Sequence, residues 1–519
     1  MDNQEFLKSF PESFWMASTN ATDYPSLDQD ISVDIAIIGG GITGISCAYS
    51  LKDEGFKIAI LEADHIAQGA SGHTTAKVTS QHGLIYNKTK LQLGEELAKQ
   101  YAEANEHAIQ RIKSIIDTHH IDCDYKTESA FIYTQQDNYV QKIYNEIATA
   151  SDLGIKASFV DNIPFPIDIK AAVRFDDQGQ FHPRKYLLAL AKEITNSNCT
   201  IYEKTRIVGI DESNKYTLTT ERGNKITADK VIIASHYPFY NKQAMYFARL
   251  YCERSYALAV KAKEKYPGGM YLSAEDPKRS LRLINSPNGD LIMVGGETHK
   301  TGQSKDTFKH YEAIMNFANG IFTVEDIPYK WSAQDCITVD DIPYVGKYIA
   351  NSPNLYVATG FRKWGMTNSM AAAIIIKDLI VVGKSPWQDV YNPSRKTIIA
   401  SAKNFVVENF NVAEELLGGK LSPLPEDIFL EPDEGKLVKI NDERIGVYRD
   451  EHCKLHKVNT TCTHMGCELN WNSAERTWDC PCHGSRFSHK GDIVEGPAVK
   501  PLSFDNNVNT IGKLLNEDF

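Results

Sequence analysis

Two constellations of residues could carry chemistry in this 519-residue chain. The first lies near the C-terminus. Cys462-x-His464 is followed, after 15 residues, by Cys480-x-x-His483, with Cys467 and Cys482 in the same two loops. Two thiolates and two imidazoles form a zinc donor set. They equally form the donor set of a [2Fe–2S] cluster, with two sulfurs on one iron and two nitrogens on the other. Spacing alone leaves both open. The second constellation is Gly39-x-Gly41-x-x-Gly44, with Glu62 placed 18 residues after its last glycine. In such a loop the first glycine permits a tight turn, the second admits a pyrophosphate, and the third lets a helix pack on its strand. The helix N-terminus adds partial positive charge, and an acid at that distance accepts a ribose hydroxyl. The motif does not separate FAD from NAD.

These residues need particular elements around them. Val33–Ile38 is a short, β-branched apolar run, the mark of a buried strand in a parallel sheet. A helical stretch over Ile45–Asp53 and a second apolar run over Lys57–Leu61 complete a βαβ unit, so the glycines fall at its first turn. Residues 1–32 are polar, carry Pro11 and Pro25, and read as an extended lead-in. A long polar helix is expected over 88–117, strands with turns over 201–233 and 255–300, and a buried helix over 366–382. From Leu417 the Gly- and Pro-rich run GGKLSPLPED reads as a linker. Short strands with turns over 429–519 suggest a separate all-β module.

At roughly 150 residues per domain, the length suggests three to four domains, or one large two-part unit plus a small module. A hydrophobic content of 42% and a charged content of 24% suit a globular chain with a large core. The net charge of −11 argues against a nucleic-acid or anionic-membrane binder, because phosphate binding needs basic surface. The N-terminus lacks the basic and apolar regions of a secretory signal. No apolar run reaches about 18 residues, so no transmembrane segment is expected. The nearest, Ala371–Gly383, is broken by Lys377 and Asp378. A cytoplasmic location is expected. In a reducing compartment the cluster of cysteines over 453–482 reads first as metal ligands or redox groups.

The loop Gln68–Lys77 (QGASGHTTAK) is where the chain resembles the D-amino-acid oxidase-like, or glycine-oxidase-like, family of FAD enzymes. The resemblance spans residues 33–400. Thr205–Val208 matches a family segment whose valine backbone holds the adenine, and Val231–Ser235 a nucleotide-contacting strand. Thr338–Gly346 is similar to the family's T-P-D-G-x-P-x-I-G run, departing from it at Val339 and Asp341. Leu355–Gly360, with Phe361–Thr367, resembles the last flavin-contacting strand, loop and helix. The implied fold is α/β within residues 1–415. A Rossmann-like FAD-binding domain (30–84, 160–236, 335–400) is interleaved with a mixed-sheet α+β substrate domain (85–159, 237–334).

The resemblance implies FAD contacts from Gly39, Gly41, Ile42, Thr43, Gly44, Glu62, Ala63, Gly69, Ser71 and Thr75. Val208, Ala234, Gly360, Gly365, Met366 and Thr367 complete that set. Family substrates are amino acids, N-methyl amino acids or other amines with a C–H next to nitrogen, their carboxylate gripped by an Arg or Lys. The candidates here are Lys363, His299 and Arg282, with Arg279 beside them. Both arginines read equally well as ion pairs between segments. Cys336 lies near a region where some members attach flavin covalently, but its position relative to Thr338 does not match.

The paired runs C-T-H-x-G-C and C-P-C-H-G-S resemble the Rieske family, which gives residues 429–519 a small all-β [2Fe–2S] fold after a linker over 416–428. The resemblance assigns Cys462 and Cys480 to one iron and His464 and His483 to the other. It pairs Cys467 with Cys482 as a loop-bridging disulfide. Ser485 matches a donor to a cluster sulfide. Phe487 stands where high-potential members carry a tyrosine hydroxyl, which implies a lower potential within the family's range of about −150 to +300 mV. Gly496-Pro497-Ala498 resembles the loop covering the cluster, and Cys453 falls outside the pattern.

Joined in one chain, the two modules imply a dehydrogenase. Electrons would pass from an amine or amino acid to FAD, through the cluster, to an external one-electron acceptor such as a ferredoxin or a quinone-linked carrier. Two other readings stand beside it. One is an electron-transfer flavoprotein with no small organic substrate. The other is a structural or redox-sensing module holding zinc or an inert cluster.

Overall fold

The computed structural model describes residues 9–241, 244–395, 402–421, 423–424, 429–440 and 443–503. The run ISVDIAII forms the strand Ile31–Ile38, which lies between Ile58–Leu61 and Lys225–Ile233, both parallel to it. Leu355–Thr359 and Cys199–Tyr202 extend the sheet in parallel on either side, and Tyr344–Lys347 closes one edge in antiparallel fashion. Residues 35–38, 58–61 and 355–359 are buried throughout, as expected of parallel strands covered on both faces. The helices Ile42–Leu51 and Gly365–Val381 pack against each other. The second is buried almost continuously from Met366 to Ile376, with the polar Thr367, Asn368 and Ser369 in its first turns.

A second, nine-stranded mixed sheet runs in the order Val324–Thr338, Leu250–Ala262, Leu291–Lys300, Arg279–Ile284, Met270–Ser273, Lys126–Thr134, Ala171–Gln180, Lys77–Val78, with Ala157–Val160 off this path. Ala171–Gln180 and Lys77–Val78 fall within segments expected on the cofactor side, yet both join this sheet. Nothing in their composition distinguishes which sheet they enter. Pairing with Lys126–Thr134 decides it for Ala171–Gln180. The helices Glu95–His119 and Phe308–Ile321 carry apolar stripes that bury against the rest of the chain.

Two expectations are corrected. The lead-in is not extended throughout: Phe14–Ala17 is a helical turn capped by Ser13, with Phe14 and Trp15 buried. The hydroxyl of Ser13 also donates to Gly72 O at 2.5 Å, tying this turn to the loop after Glu62. The stretch expected as linker is helical at its start, because Ala402–Leu421 is one helix. Its EELL run has high helix propensity and carries the helix through Gly418 and Gly419.

The C-terminal strands form two antiparallel sheets. One is Glu434–Ile440, Glu443–Arg449 and Leu455–Asn459. The other is Asn470–Asn472, Thr477–Asp479, Arg486–Ser488 and Ile493–Glu495. No helix among the described residues is long and apolar enough to cross a membrane.

Candidate functional site

The glycine loop joins strand Ile31–Ile38 to helix Ile42–Leu51, and its close approaches explain its composition. A Cβ on Gly44 would lie 1.9 Å from Gly39 O, and one on Gly39 would lie 2.5 Å from Ala234 O. Gly41 caps the helix with no side-chain acceptor. The Ile42 N–H donates to Ser71 Oγ at 2.9 Å, so the hydroxyl-rich loop sits directly over the helix N-terminus. Glu62 accepts from the Gly40 and Asp64 amides at 2.6 and 2.9 Å. Burial still raises its carboxyl above the ordinary range, against those two donors.

A cavity of about 1400 Å³ opens from this loop. Gly39, Gly41, Ile42 and Thr43 line it, with Glu62 and Ala63 at the second strand. Gly69, Ser71 and Thr75 contribute from the following loop, Ala234 from the third strand, and Gly365 and Met366 from the last helix. Four expected contacts do not face it, the first being Gly44, which packs against Gly39 O. Val208 sits at a bulge, and its neighbours Arg206 and Ile207 line the cavity instead. Gly360 packs against Thr338. Thr367 donates to Thr79 O at 2.9 Å and so supports the wall from behind. A narrow groove with a tight glycine turn, a helix N-terminus and an acid at its end fits an FAD dinucleotide.

The cluster residues converge on a second cage. Two matched turns close it. The Cys462 N–H donates to Cys467 O at 2.8 Å, and the Cys480 N–H to Ser485 O at 2.8 Å. Cys467 and Cys482 form the disulfide that joins these loops. The sulfurs of Cys467, Cys480 and Cys482 lie within 4.8 Å of one another, so the staple sits beside a ligand position. The His464 and His483 rings are 5.1 Å apart at 88°. Nδ1 of each is buried without a hydrogen-bond partner, which is what a ligand nitrogen needs. Contact with Cys480, opposed by burial but helped by the His464 amide and Ser485, pulls the Cys462 thiol down to about 7. Two convergent sulfurs and two orphaned nitrogens fit the expected donor set. Ser485 Oγ accepts from the Ala498 N–H at 3.0 Å, tying the proline loop to the cage. Phe487 is fully buried opposite Trp478.

The catalytic candidates separate. Lys363 lines the cavity, and its Nζ donates to Asp335 at 2.9 Å. His299 does not line it. Its ring stacks on His310 and Tyr256, bonds the Tyr256 hydroxyl at 2.9 Å, and burial pushes its pKa down to about 4. Arg282 is also no substrate clamp. Its guanidinium donates to the carbonyls of Thr75, Ala76, Phe181 and Leu283 at 2.7–3.3 Å, so it braces the loop before Lys77. Arg279 pairs with Glu297 at 2.5 Å. Cys336 is buried with its sulfur 3.6 Å from that of Cys252.

Sequence reasoning missed three polar groups on the cavity wall. Lys77 is 7% exposed, and its Nζ donates to Tyr271 O at 3.0 Å and Ser280 Oγ at 2.6 Å, with no carboxylate partner among the described residues. Burial, then the nearby Arg282 charge, push its pKa down to about 7. Glu253 stands opposite Asp335 across two antiparallel strands, and burial raises its carboxyl. Lys278 is held below its ordinary pKa by burial. Alternation along Leu250–Ala262 was the available signal for Glu253, since a charged residue there faces either the cavity or the C-terminal module.

Comparison with known proteins agrees with this geometry. Residues 34–379 match the FAD dependent oxidoreductase family, and residues 425–510 match the Rieske [2Fe-2S] domain. The chain is 44% identical over 504 residues to YhfW of Bacillus subtilis (strain 168), a protein named for a Rieske 2Fe-2S iron-sulfur centre. That alignment covers 97% of this chain and 99% of the relative. It is 21% identical over 408 residues to gamma-glutamylputrescine oxidoreductase of Escherichia coli (strain K12), covering 71% of this chain and 88% of that one. In fold it is similar to glycine oxidase from Geobacillus kaustophilus, with a TM-score of 0.59 at 16% identity over 70% of this chain and 99% of the other. L-proline dehydrogenase from P. horikoshii gives the same score at 18% identity, covering 72% and 99%.

Proposed function

Because the chain belongs to the FAD-dependent oxidoreductase family and carries a Rieske [2Fe–2S] domain, we propose that it is a dehydrogenase of amines or amino acids that hands electrons to an external one-electron acceptor. One observation carries this reading. The cavity that begins at Gly39 and Glu62 also has Glu495, Gly496, Pro497 and Ala498 of the Rieske module in its wall. Bound FAD takes up the two electrons of a C–H bond beside nitrogen, and a bound cluster carries electrons singly. The names of two relatives support the substrate class, one a gamma-glutamylputrescine oxidoreductase and one an L-proline dehydrogenase.

The chain's own residues would do the remaining work. Gly39–Thr43, Glu62 and Ser71 hold the dinucleotide. Lys363, fixed by Asp335, and Lys278 place positive charge where a carboxylate can be gripped. An amine must be neutral before its C–H bond is oxidised. Lys77, with its pKa near 7, can accept the ammonium proton on its nitrogen at neutral pH. Arg282 and Trp15, whose ring lies 5.2 Å from the guanidinium, keep the Thr74–Lys77 loop in place. The acceptor is a ferredoxin-like or quinone-linked carrier.

Anaerobic mixing of the holoenzyme with a panel of amines and amino acids tests the reading. The expected result is bleaching of the flavin by at least one compound, followed by the EPR signal of a reduced cluster. His483→Ala should leave the bleaching intact and abolish reduction of a one-electron dye. If no compound bleaches the flavin, the dehydrogenase reading fails.

A further inference from the structure

The strands Leu250–Ala262 and Val324–Thr338 form a wall with two different faces. They pair antiparallel with Glu253 opposite Asp335 and Ser255 opposite Ala333 on one face. Those four residues line the cavity, where Lys363 meets Asp335. On the other face Cys252 lies opposite Cys336, Arg254 opposite Gln334, and Tyr256 opposite Ser332. That second face meets the Rieske module. Cys252 Sγ donates to His483 O at 3.4 Å, and Gln334 Nε2 donates to Gly484 O at 2.9 Å. Arg254, Tyr256, Ser332 and Gln334 of this face also line the cavity, and Gln334 is the side chain among them that reaches from it to the cluster loop. Thr301 fixes its amide by donating to Oε1 at 2.9 Å.

The contact is close enough to exclude side chains. A Cβ on Gly484 would lie 2.6 Å from Cys252 Cβ, and one on Gly302 would lie 2.7 Å from Pro481 N. Gln303 donates to Pro481 O at 3.1 Å, Asn470 to Gly302 O at 2.8 Å, and the Ala474 amide to Thr307 Oγ1 at 3.0 Å. Arg254, 1% exposed, pairs with Glu495 at 3.1 Å and Glu475 at 3.5 Å. Separating the module would strand that buried guanidinium. His483 is buried on this side, whereas His464 is half-buried and its neighbour Met465 is 47% exposed.

We infer that the Rieske module is docked permanently on this wall, with its His483 side toward the flavin cavity of the same chain, and that Gln334 positions the cluster loop for transfer without domain movement. The inference rests on the proposed redox coupling of the two cofactors. Each transfer oxidises the reduced flavin by one electron and reduces the cluster by one. The proton released on the flavin side goes to the cavity, whose wall carries Glu253.

The test starts from flavin reduced by light and a deazaflavin donor in the holoenzyme, so it does not depend on finding a substrate. The Thr307 and Ser473 hydroxyls lie 3.2 Å apart across the contact. A double Thr307→Cys, Ser473→Cys variant can therefore be locked by oxidation. Cluster reduction by photoreduced flavin should be independent of protein concentration and of viscosity. The locked and unlocked forms should agree within about twofold, both in this step and in cluster reoxidation by ferricyanide. Gln334→Met should slow the step at least tenfold with the cluster's EPR spectrum unchanged. A tenfold loss on locking, a rate that falls with viscosity, or an unaffected Gln334→Met variant would overturn the inference. Failure of every amine to bleach the flavin would touch only the substrate reading.

Discussion

Replacing Lys77 by methionine isolates the cost of burying one ammonium group beside the cavity. In the folded chain, burial and the Arg282 charge bring Lys77 from an ordinary 10.5 to about 7. Below pH 7 both folded and unfolded chains hold the proton, and the folded state bears the whole penalty, ~4–5 kcal/mol. Between pH 7 and 10.5 the unfolded chain still holds the proton while the folded chain has released it, so wild-type stability rises with pH. Above 10.5 neither state is charged and the penalty is gone. Linkage puts the rise between pH 7 and pH 9 at ~2 kcal/mol. Lys77→Met removes the titration and also the donations to Tyr271 O and Ser280 Oγ, each worth ~1 kcal/mol. That loss is independent of pH, so the slope is more diagnostic than the offset. Urea titrations at pH 7, 8 and 9, followed by the fluorescence of released FAD, give the difference between variant and wild type. The variant's advantage should shrink by ~2 kcal/mol across that range. A constant difference would refute the argument that Lys77 is held neutral by its surroundings.

Three other perturbations follow from the same contacts. Gly44→Ala drives a methyl group to 1.9 Å from Gly39 O, so the purified variant should lose its flavin absorbance while keeping the Rieske EPR signal. Arg254→Met leaves Glu495 to Arg486, and Glu475 to Arg486 and the Tyr311 hydroxyl, a loss of ~3 kcal/mol or more, readable as a lower unfolding temperature by calorimetry. Cys467→Ser opens a bridge spanning 15 positions, which costs ~3 kcal/mol in the chain-entropy account and should shorten the lifetime of the cluster's visible absorbance in air.

The parts legible in the sequence were those where chemistry dictates local backbone. Gly39 and Gly44 announce a loop because a side chain on either would collide with Ala234 O or Gly39 O, while Gly41 faces Ser71 Oγ. The cysteines and histidines of the two cluster loops announce a cage because each loop closes on itself within a few residues. Long-range partners were not legible. Arg282 has the charge to grip a carboxylate, but its acceptors are carbonyls distant in sequence, at Thr75 and Phe181. His299 follows a cavity-lining residue, Thr298, and strand alternation turns its ring the other way. Lys77 was part of a recognised loop, yet its isolation from carboxylates depends on the Tyr271 and Ser280 strands folding over it. The glycines near 418 suggested a break, whereas the helix formers before them carried the helix on.

The interlocked glycines at 302 and 484 also bear on how the metal centre is assembled. Once the module is seated, Cys462, Cys480 and His483 are at most 2% exposed, and the wall seals their side of the cage. Among the described residues, the remaining approach passes His464 and Met465, beside Asn241, whose Nδ2 lies 3.4 Å from His464 Nε2. Iron and sulfide entering the seated module would therefore pass His464 and Met465, the open side of the cage, and not the side covered by the wall.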